Sequence, residues 1–231
     1  MNLPTYVTLE RTRNRHSRAI LQGDTIVIRL GRFLSHAEEE RHIQWLVAAM
    51  ERVQRREKMK TRIDPFRALL HEDGEHQITL ADGTIERIHR TLAPRTTLRF
   101  KNNEWLLGVA RKTPVRDVHR LLWRALSKHH LARITARVHA INTMTFRFPI
   151  SSVQLRYAKT QWGSCSRRGN VSLNPALLFV PDHLLTYVII HELAHIAHAH
   201  HGKRFWAAVE SVLPNFRDCI REIRGYRISP L

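Results

Sequence analysis

Apolar and polar residues alternate along the first thirty positions, a pattern that predicts short β-strands. The strands are expected over residues 6–10, 19–21 and 25–30, with a turn at Gly23-Asp24 between the last two, so we predict a small antiparallel sheet. Apolar residues then recur at helical spacing from Ile43 to Val53, after a predicted N-cap at Ser35. This part of the chain therefore combines a sheet with one helix.

Further short apolar runs lie between residues 77 and 109, and Asp82-Gly83 is typical of a hairpin turn between two of them. We expect these strands to extend the N-terminal sheet. Residues 1–112 are accordingly predicted to form an N-terminal β-rich region, and residues 113–231 a second domain of a different kind.

The second half of the chain is dominated by helical periodicity. Pro114 begins a predicted helix that runs to about Ile141, and Pro181 begins another that is apolar on nearly every face. Strand patterns over residues 153–157 and 169–173 separate the two helices. The whole pattern predicts an α+β fold.

The second of these helices carries His191-Glu192-Leu193-Ala194-His195. At about 100° per residue, two histidines four positions apart lie roughly 40° apart on one helix face. Both imidazoles can then bind one metal ion while the glutamate reaches a water molecule on that ion. So short a motif also arises by chance in a chain with 16 histidines, but buried histidines and a glutamate without partners would be unfavourable in so apolar a helix. We therefore predict one Zn²⁺ ion per chain at this motif.

A catalytic zinc site needs a third protein ligand and one position left for water. The candidates are His198, His200 and His201. In an unbroken helix His198 lies too far along the axis to complete a tetrahedron, whereas His201 can turn back if the helix ends near Ala199. Gly202 favours such an end. Spacing alone does not decide whether His200 or His201 is the third ligand.

The charge of the chain is strongly positive, at +18 with a sequence pI near 11.2. Between Val118 and Pro181 there is no Asp or Glu. On the first long helix a basic ridge repeats every four residues. It consists of Arg116, Arg120, Arg124 and Lys128. So positive a charge favours a polyanionic partner, and we expect nucleic acid first and an acidic membrane surface second. A basic face that is only solvated has the same composition.

The amino-acid composition reduces the classes of protein to which this chain could belong. Two cysteines, Cys165 and Cys219, cannot form a disulfide framework, and Cys165 is interpreted as a packed small residue. The first residues lack the features of a secretory signal, and no apolar run has the length of a membrane span. We expect a cytoplasmic protein.

Several motifs resemble those of the YgjP-like (DUF45) metallopeptidases, a family related to the minimal zincins of the SprT or Spartan type. The resemblance is carried by residues 161–166, 171–174, 187–195 and 201–206, and weaker matches extend it over most of the chain. By position, His191, His195 and His201 resemble the zinc ligands, and Glu192 the catalytic acid/base. The chain departs from the family pattern in having Gly202 where Ser is frequent and His200 where Asn is expected.

The resemblance also implies a zincin-like C-terminal domain with a β-hairpin beside the metal helix, and an extended substrate bound along the edge strand of that hairpin. We assign this role to the strands predicted over residues 153–157 and 169–173, with Arg167 and Arg168 at the tip. Trp162 and Arg204 are further candidates for substrate binding.

Together these patterns predict a zinc metallopeptidase that acts on a peptide or protein. Three alternatives use the same residues. The first is a protease of the SprT type that acts on DNA-bound proteins, with the basic ridge on nucleic acid. The second is a metal-dependent hydrolase of nucleotide phosphoanhydrides, and the third a metal-bound structural domain without turnover.

Overall fold

The computed structural model describes residues 4–22, 25–31 and 36–229. The turn predicted at Gly23-Asp24 and the cap predicted at Ser35 lie outside the described residues. The chain divides into two units, residues 1–60 and residues 61–231. The boundary predicted between residues 112 and 113 falls inside the second unit, and as a statement about separate domains it stays a prediction.

The first unit combines a three-stranded sheet with a long helix. Its elements are β1 (Val7–Arg11), β2 (Arg18–Gln22), β3 (Thr25–Leu30) and α1 (His36–Met59). β3 lies in the middle, antiparallel to β2 but parallel to β1, so the expectation of an antiparallel sheet is wrong for β1. Apolar alternation predicts that a strand forms, but it does not determine the direction of its neighbour. The buried side chains of β3 pack against Ile43 and Leu46 of α1.

The second unit begins with five strands, four of which form a sheet of their own. They are β4 (Thr61–Ile63), β5 (Gly74–Thr79), β6 (Ile85–Leu92), β7 (Thr97–Lys101) and β8 (Glu104–Val109). Four of them pair in the order β5-β6-β8-β7. The expectation that these strands extend the N-terminal sheet is therefore wrong. Their inward residues are covered within their own unit, by the long helix that follows.

That helix, α2, spans Val115–Met144 and is slightly longer than predicted. Its buried side chains recur at helical spacing from Val118 to Ile141 and join the main core of the second unit. Arg116 and the other residues of the basic ridge lie on exposed positions of the opposite face.

A second small sheet follows α2. Its strands are β9 (Ser152–Leu155), β10 (Gly163–Cys165) and β11 (Asn170–Leu173), in the order β10-β11-β9. β9 and β11 were expected to form a hairpin, but they are parallel, and the antiparallel hairpin is β10–β11. The turn of this hairpin uses Gly169 at φ +75°, a conformation that favours glycine. The sequence analysis missed β10 as a strand because it is only three residues long.

The chain ends with helices and a short strand. A 3₁₀ helix at Pro175–Phe179 leads into α3 (Asp182–Ala197), followed by α4 (Lys203–Val212), α5 (Phe216–Ile223) and β12 (Tyr226–Ile228). β12 pairs in parallel with β4 and so joins the two ends of the second unit. In the described ranges no helix has the length and apolar character needed to cross a membrane.

Candidate metal centre

The centre is built on the last turns of α3. Pro181 precedes the helix and Asp182 lies in its first turn, where a carboxylate is favourable next to the helix dipole. The helix is buried over most of its length, from Leu184 to Ala194. It ends at Ala197, and His198 has an extended backbone with φ −129° and ψ 99°. This end comes two residues before the position predicted.

The end of α3 brings a third histidine back to the helix. Ligand atoms of His191, His195 and His201 all lie within 4.8 Å of one another, and Nε2 of His191 is 3.0 Å from Nε2 of His201. His200 is exposed, and His198 contributes its backbone carbonyl rather than its ring. The structure thus groups His201, and not the other two candidates, with the histidines of the motif.

Contacts outside this group orient the rings. Nδ1–H of His195 donates to the carbonyl oxygen of His198 at 3.0 Å, which leaves Nε2 of His195 with a free lone pair. The hydroxyl oxygen of Tyr187 lies 3.4 Å from Nδ1 of His191. When Nδ1–H of His191 donates to this oxygen, Nε2 of that ring also has a free lone pair. Burial raises the pKa of Tyr187 to about 12. Hydrogen bonds to the outer ring nitrogen are the usual way of fixing a histidine as a metal ligand.

The charge states of the rings also suit a metal ion. Burial, followed by the neighbouring His195 and His201, lowers the pKa of His191 to about 4. Burial likewise lowers the pKa of His201, together with the nearby His195 and His200. His191 and His201 are therefore neutral at neutral pH, the form that binds metal. With zinc–nitrogen distances of 2.0–2.1 Å, tetrahedral ligand atoms lie about 3.3 Å apart, so the residues present fit a zinc ion after small shifts.

Glu192 follows His191 directly on α3 and is almost fully buried, with 6% of its surface exposed. Burial raises its pKa to about 7. Its side chain packs directly on the backbone of β10: a Cβ added to Gly163 would lie 2.8 Å from both Cγ and Oε1 of Glu192. Only glycine leaves room for the carboxylate there. Sequence reasoning included Gly163 in a motif but missed this contact.

Aromatic residues of α4 close one side of the group. The ring centroid of Phe205 lies 4.9, 4.6 and 4.7 Å from those of His191, His195 and His201. Trp206 stacks on His201 at 5.6 Å and on Phe216 of α5 at 5.3 Å. The apolar face of α4 thus covers the histidines, a contact that the sequence did not predict.

The other predicted site residues lie in different places. Trp162 is half-buried, and its carbonyl accepts a hydrogen bond from the backbone of Asn174. Arg167 and Arg168 are exposed in the β10–β11 turn, at the end of β10 away from Gly163, and Arg204 is exposed in the first turn of α4. Substrate binding by these four residues stays a prediction.

Comparison with known proteins identifies the family. The chain matches the model of a family described as YgjP-like, metallopeptidase domain, over residues 15–226. No curated protein matches it significantly in sequence. Among solved structures, the crystal structure of the metallopeptidase zymogen of Pyrococcus abyssi abylysin is similar at 25% identity, covering 40% of this chain and 95% of that one, with a TM-score of 0.34.

Proposed function

We propose, from the premise that the chain belongs to the YgjP-like family of metallopeptidase domains, that it hydrolyses peptide bonds with one Zn²⁺ ion. His191, His195 and His201 hold the ion, and Glu192 is the general base. The observation that carries this proposal is the meeting of three imidazoles within 4.8 Å of one another at the end of the helix that carries the buried Glu192.

Glu192 accepts and releases the proton in this mechanism. When bound, Zn²⁺ supplies Lewis acidity to the substrate carbonyl and lowers the pKa of water toward about 7. Because burial raises the pKa of Glu192 to about 7, its carboxylate accepts a proton from water at neutral pH and can release that proton to the leaving amine. Gly163 leaves the space in which this side chain lies.

The outer edge of β10 supports a peptide as the substrate. Ser166 N–H donates to the carbonyl of Asn170 and Asn174 N–H to the carbonyl of Trp162, so the two residues that flank β10, and by alternation Ser164 within it, bond toward β11. In an antiparallel pair the intervening residues face away, which directs the backbone groups of Gly163 and Cys165 to the opposite edge. Within the described residues no strand pairs with that edge. An extended peptide bound there lies next to Glu192.

Replacing Glu192 by Gln tests the proposal. We expect Glu192→Gln to keep its fold and its zinc, measured by elemental analysis, but to lose about 10²- to 10⁴-fold in kcat. Glu210→Gln, the same change at an exposed position of α4, is the control and should cleave normally.

The substrates are found by comparing wild type and Glu192→Gln on a proteome-derived peptide library. Equal cleavage by both proteins removes Glu192 as the base. Hydrolysis of nucleotides instead of peptides, lost in Glu192→Gln, would favour the phosphoanhydride hydrolase.

A groove next to the basic ridge favours a second candidate function, in which the peptidase is positioned by nucleic acid. The groove has a volume of about 750 Å³ and lies between α2 and the chain at and after β9. Among the described residues that line it, six have cationic side chains and none has a carboxylate. They are Arg116, Arg120, Arg124, Lys128, Arg156 and Lys159. Over about 18 Å of α2, at about 1.5 Å per residue, this surface suits a run of phosphates.

The salt dependence of DNA binding tests this candidate. Replacing the four ridge residues together by Gln should reduce the slope of log K against log salt by up to about 3.6, since each phosphate contact contributes about 0.9. The control removes the same charge from exposed positions elsewhere in the second unit, at Arg99, Lys101, Arg111 and Lys112. If the ridge variant and the control variant have equal slopes, the binding is general electrostatic attraction and the ridge has no specific role in it.

A further inference from the structure

A second group of metal-binding side chains lies on β6 and α2. Glu86, His129 and His130 each place a ligand atom within 4.8 Å of those of the other two. Oε1 of Glu86 is 2.9 Å from Nε2 of His130 and 3.8 Å from Nε2 of His129. These separations bracket the value of about 3.3 Å expected for two ligands on a tetrahedral zinc ion.

The inward position of Glu86 calls for a positive partner. Alternate residues of β6 point into the core, and Glu86 occupies such a position with 5% of its surface exposed. A buried carboxylate is strongly unfavourable unless it is paired. His130, the nearest imidazole to that carboxylate, is equally buried, with 6% of its surface exposed.

His130 also has an unused nitrogen. Its Nε2 is buried and has no hydrogen-bond partner among the described residues, although Oε1 of Glu86 lies 2.9 Å away. Buried polar atoms of this kind are rare in folded proteins and call for an explanation. A bound metal ion provides one, since it accepts the lone pairs of both the nitrogen and the oxygen.

The surrounding residues hold the other two ligands in place. Nε1–H of Trp105 on β8 donates to Oε2 of Glu86 at 2.7 Å, which leaves Oε1 for the imidazoles, as is usual for carboxylate ligands. The ring of His129 packs against Phe100 at 4.5 Å and Trp105 at 5.2 Å between centroids. The side chain of His129 is 33% exposed, so an ion and a water ligand can enter from its side.

We propose that Glu86, His129 and His130 bind a second divalent ion of the zinc type, which fastens α2 to the β5–β8 sheet. Two imidazoles and one carboxylate favour Zn²⁺ or Co²⁺ over Mg²⁺ or Ca²⁺, which prefer oxygen ligands alone. The role is structural, because the ion joins a helix to a strand away from the His191 group.

Co²⁺ titration of the full chain, after metal removal with a chelator, tests the proposal independently of peptidase activity. Stoichiometry is measured by calorimetry and by the visible absorption of Co²⁺. The wild type should bind two ions, and Glu86→Gln and His129→Gln one each. His139→Gln, which changes an exposed histidine on the same helix, should bind two.

His195→Ala separates this site from the proposed catalytic one. It should bind one ion, lose peptide cleavage, and still show a rise in Tm on adding Co²⁺, whereas His195→Ala combined with His129→Gln should show none. If circular dichroism shows that Glu86→Gln does not fold, the test relies on His129→Gln, which changes a partly exposed side chain. The proposal is overturned if Co²⁺ stoichiometry is the same in wild type and His129→Gln, or if His195→Ala binds no ion.

Discussion

At the scale of single residues, the position of the Glu192 side chain depends on the absence of a Cβ atom at Gly163. The carboxylate lies where a side chain on β10 would otherwise be, and a Cβ there would be 2.8 Å from Glu192. Real Cβ atoms do not approach other atoms so closely, so with any larger residue at position 163 the side chain of Glu192 has to shift. A glycine in the sequence thus controls the geometry of a carboxylate that lies 29 positions further on.

We expect Gly163→Ala to fold and to bind zinc but to lose about 10²-fold in kcat, the effect of a displacement near 1 Å. The measurement is kcat on a peptide substrate together with zinc content. Gly202→Ala is the control, because a Cβ at that position meets nothing within 4 Å even though it adjoins His201. If both variants retain full activity, the contact with Gly163 does not position the base.

Burial determines whether the thiol of Cys165 can act as a nucleophile, which the sequence alone does not decide. Burial, with a smaller effect from Glu192, raises the pKa of its thiol to about 11, so the residue is a neutral thiol at neutral pH. This agrees with the interpretation as a packed small residue rather than a nucleophile.

At the scale of elements, the centre depends on the end of one helix and the free edge of one strand. α3 ends at Ala197, and only because it ends there can His201 return to the level of His191. β10 is held to β11 through alternate residues, and no strand among the described residues pairs with its other edge. The two elements meet where Gly163 contacts Glu192.

Proline at position 165 tests the role of the free edge. Cys165→Pro removes an N–H that faces away from β11 and so spares the hairpin. Loss of one backbone hydrogen bond to a peptide, about 1 kcal/mol, should lower kcat/KM about fivefold. Cys165→Ala keeps that N–H and serves as the matched control. If steady-state kinetics give equal kcat/KM for both variants, the substrate does not pair with this part of β10.

At the scale of the whole second unit, stability should depend on pH through a histidine of the core. His119 is 4% exposed and lies among Phe66, Trp123 and Tyr157. Nε1–H of Trp123 donates to Nε2 of His119 at 2.9 Å, which requires that nitrogen to be unprotonated. Burial lowers the pKa of His119, against a smaller opposing effect of Asp64.

The lowered pKa gives the sign of the effect. Below about pH 6.5 the unfolded chain binds a proton at His119 that the folded chain does not, so the free energy of unfolding falls as pH falls. The loss is at most about 1.4 kcal/mol per pH unit and stops at the folded pKa. Urea unfolding between pH 5 and 8 should show a shallower pH slope for His119→Gln than for wild type, with His139→Gln unchanged. A parallel slope in all three proteins would contradict the prediction.

Much of this protein was determined by local sequence. The helices α2 and α3, the alternation of most strands, the metal motif and the basic ridge all follow from the spacing of residues a few positions apart, because one helix turn or one strand period fixes which side chains share a face. The family resemblance rested on those same short segments and is confirmed by the match over residues 15–226.

Only the tertiary structure decided which segments meet. Contacts between residues far apart in sequence decided the strand direction in the first unit, the separate sheet of the second and the parallel pairing of β9 with β11. The same holds for the contact of Gly163 with Glu192 and for the group of Glu86 with His129 and His130. Such contacts depend on where the chain reverses and on what the core can accommodate, and no periodic pattern records either. His201 shows the boundary between the two: spacing allowed two histidines, and the path of the chain after Ala197 grouped one of them with the motif.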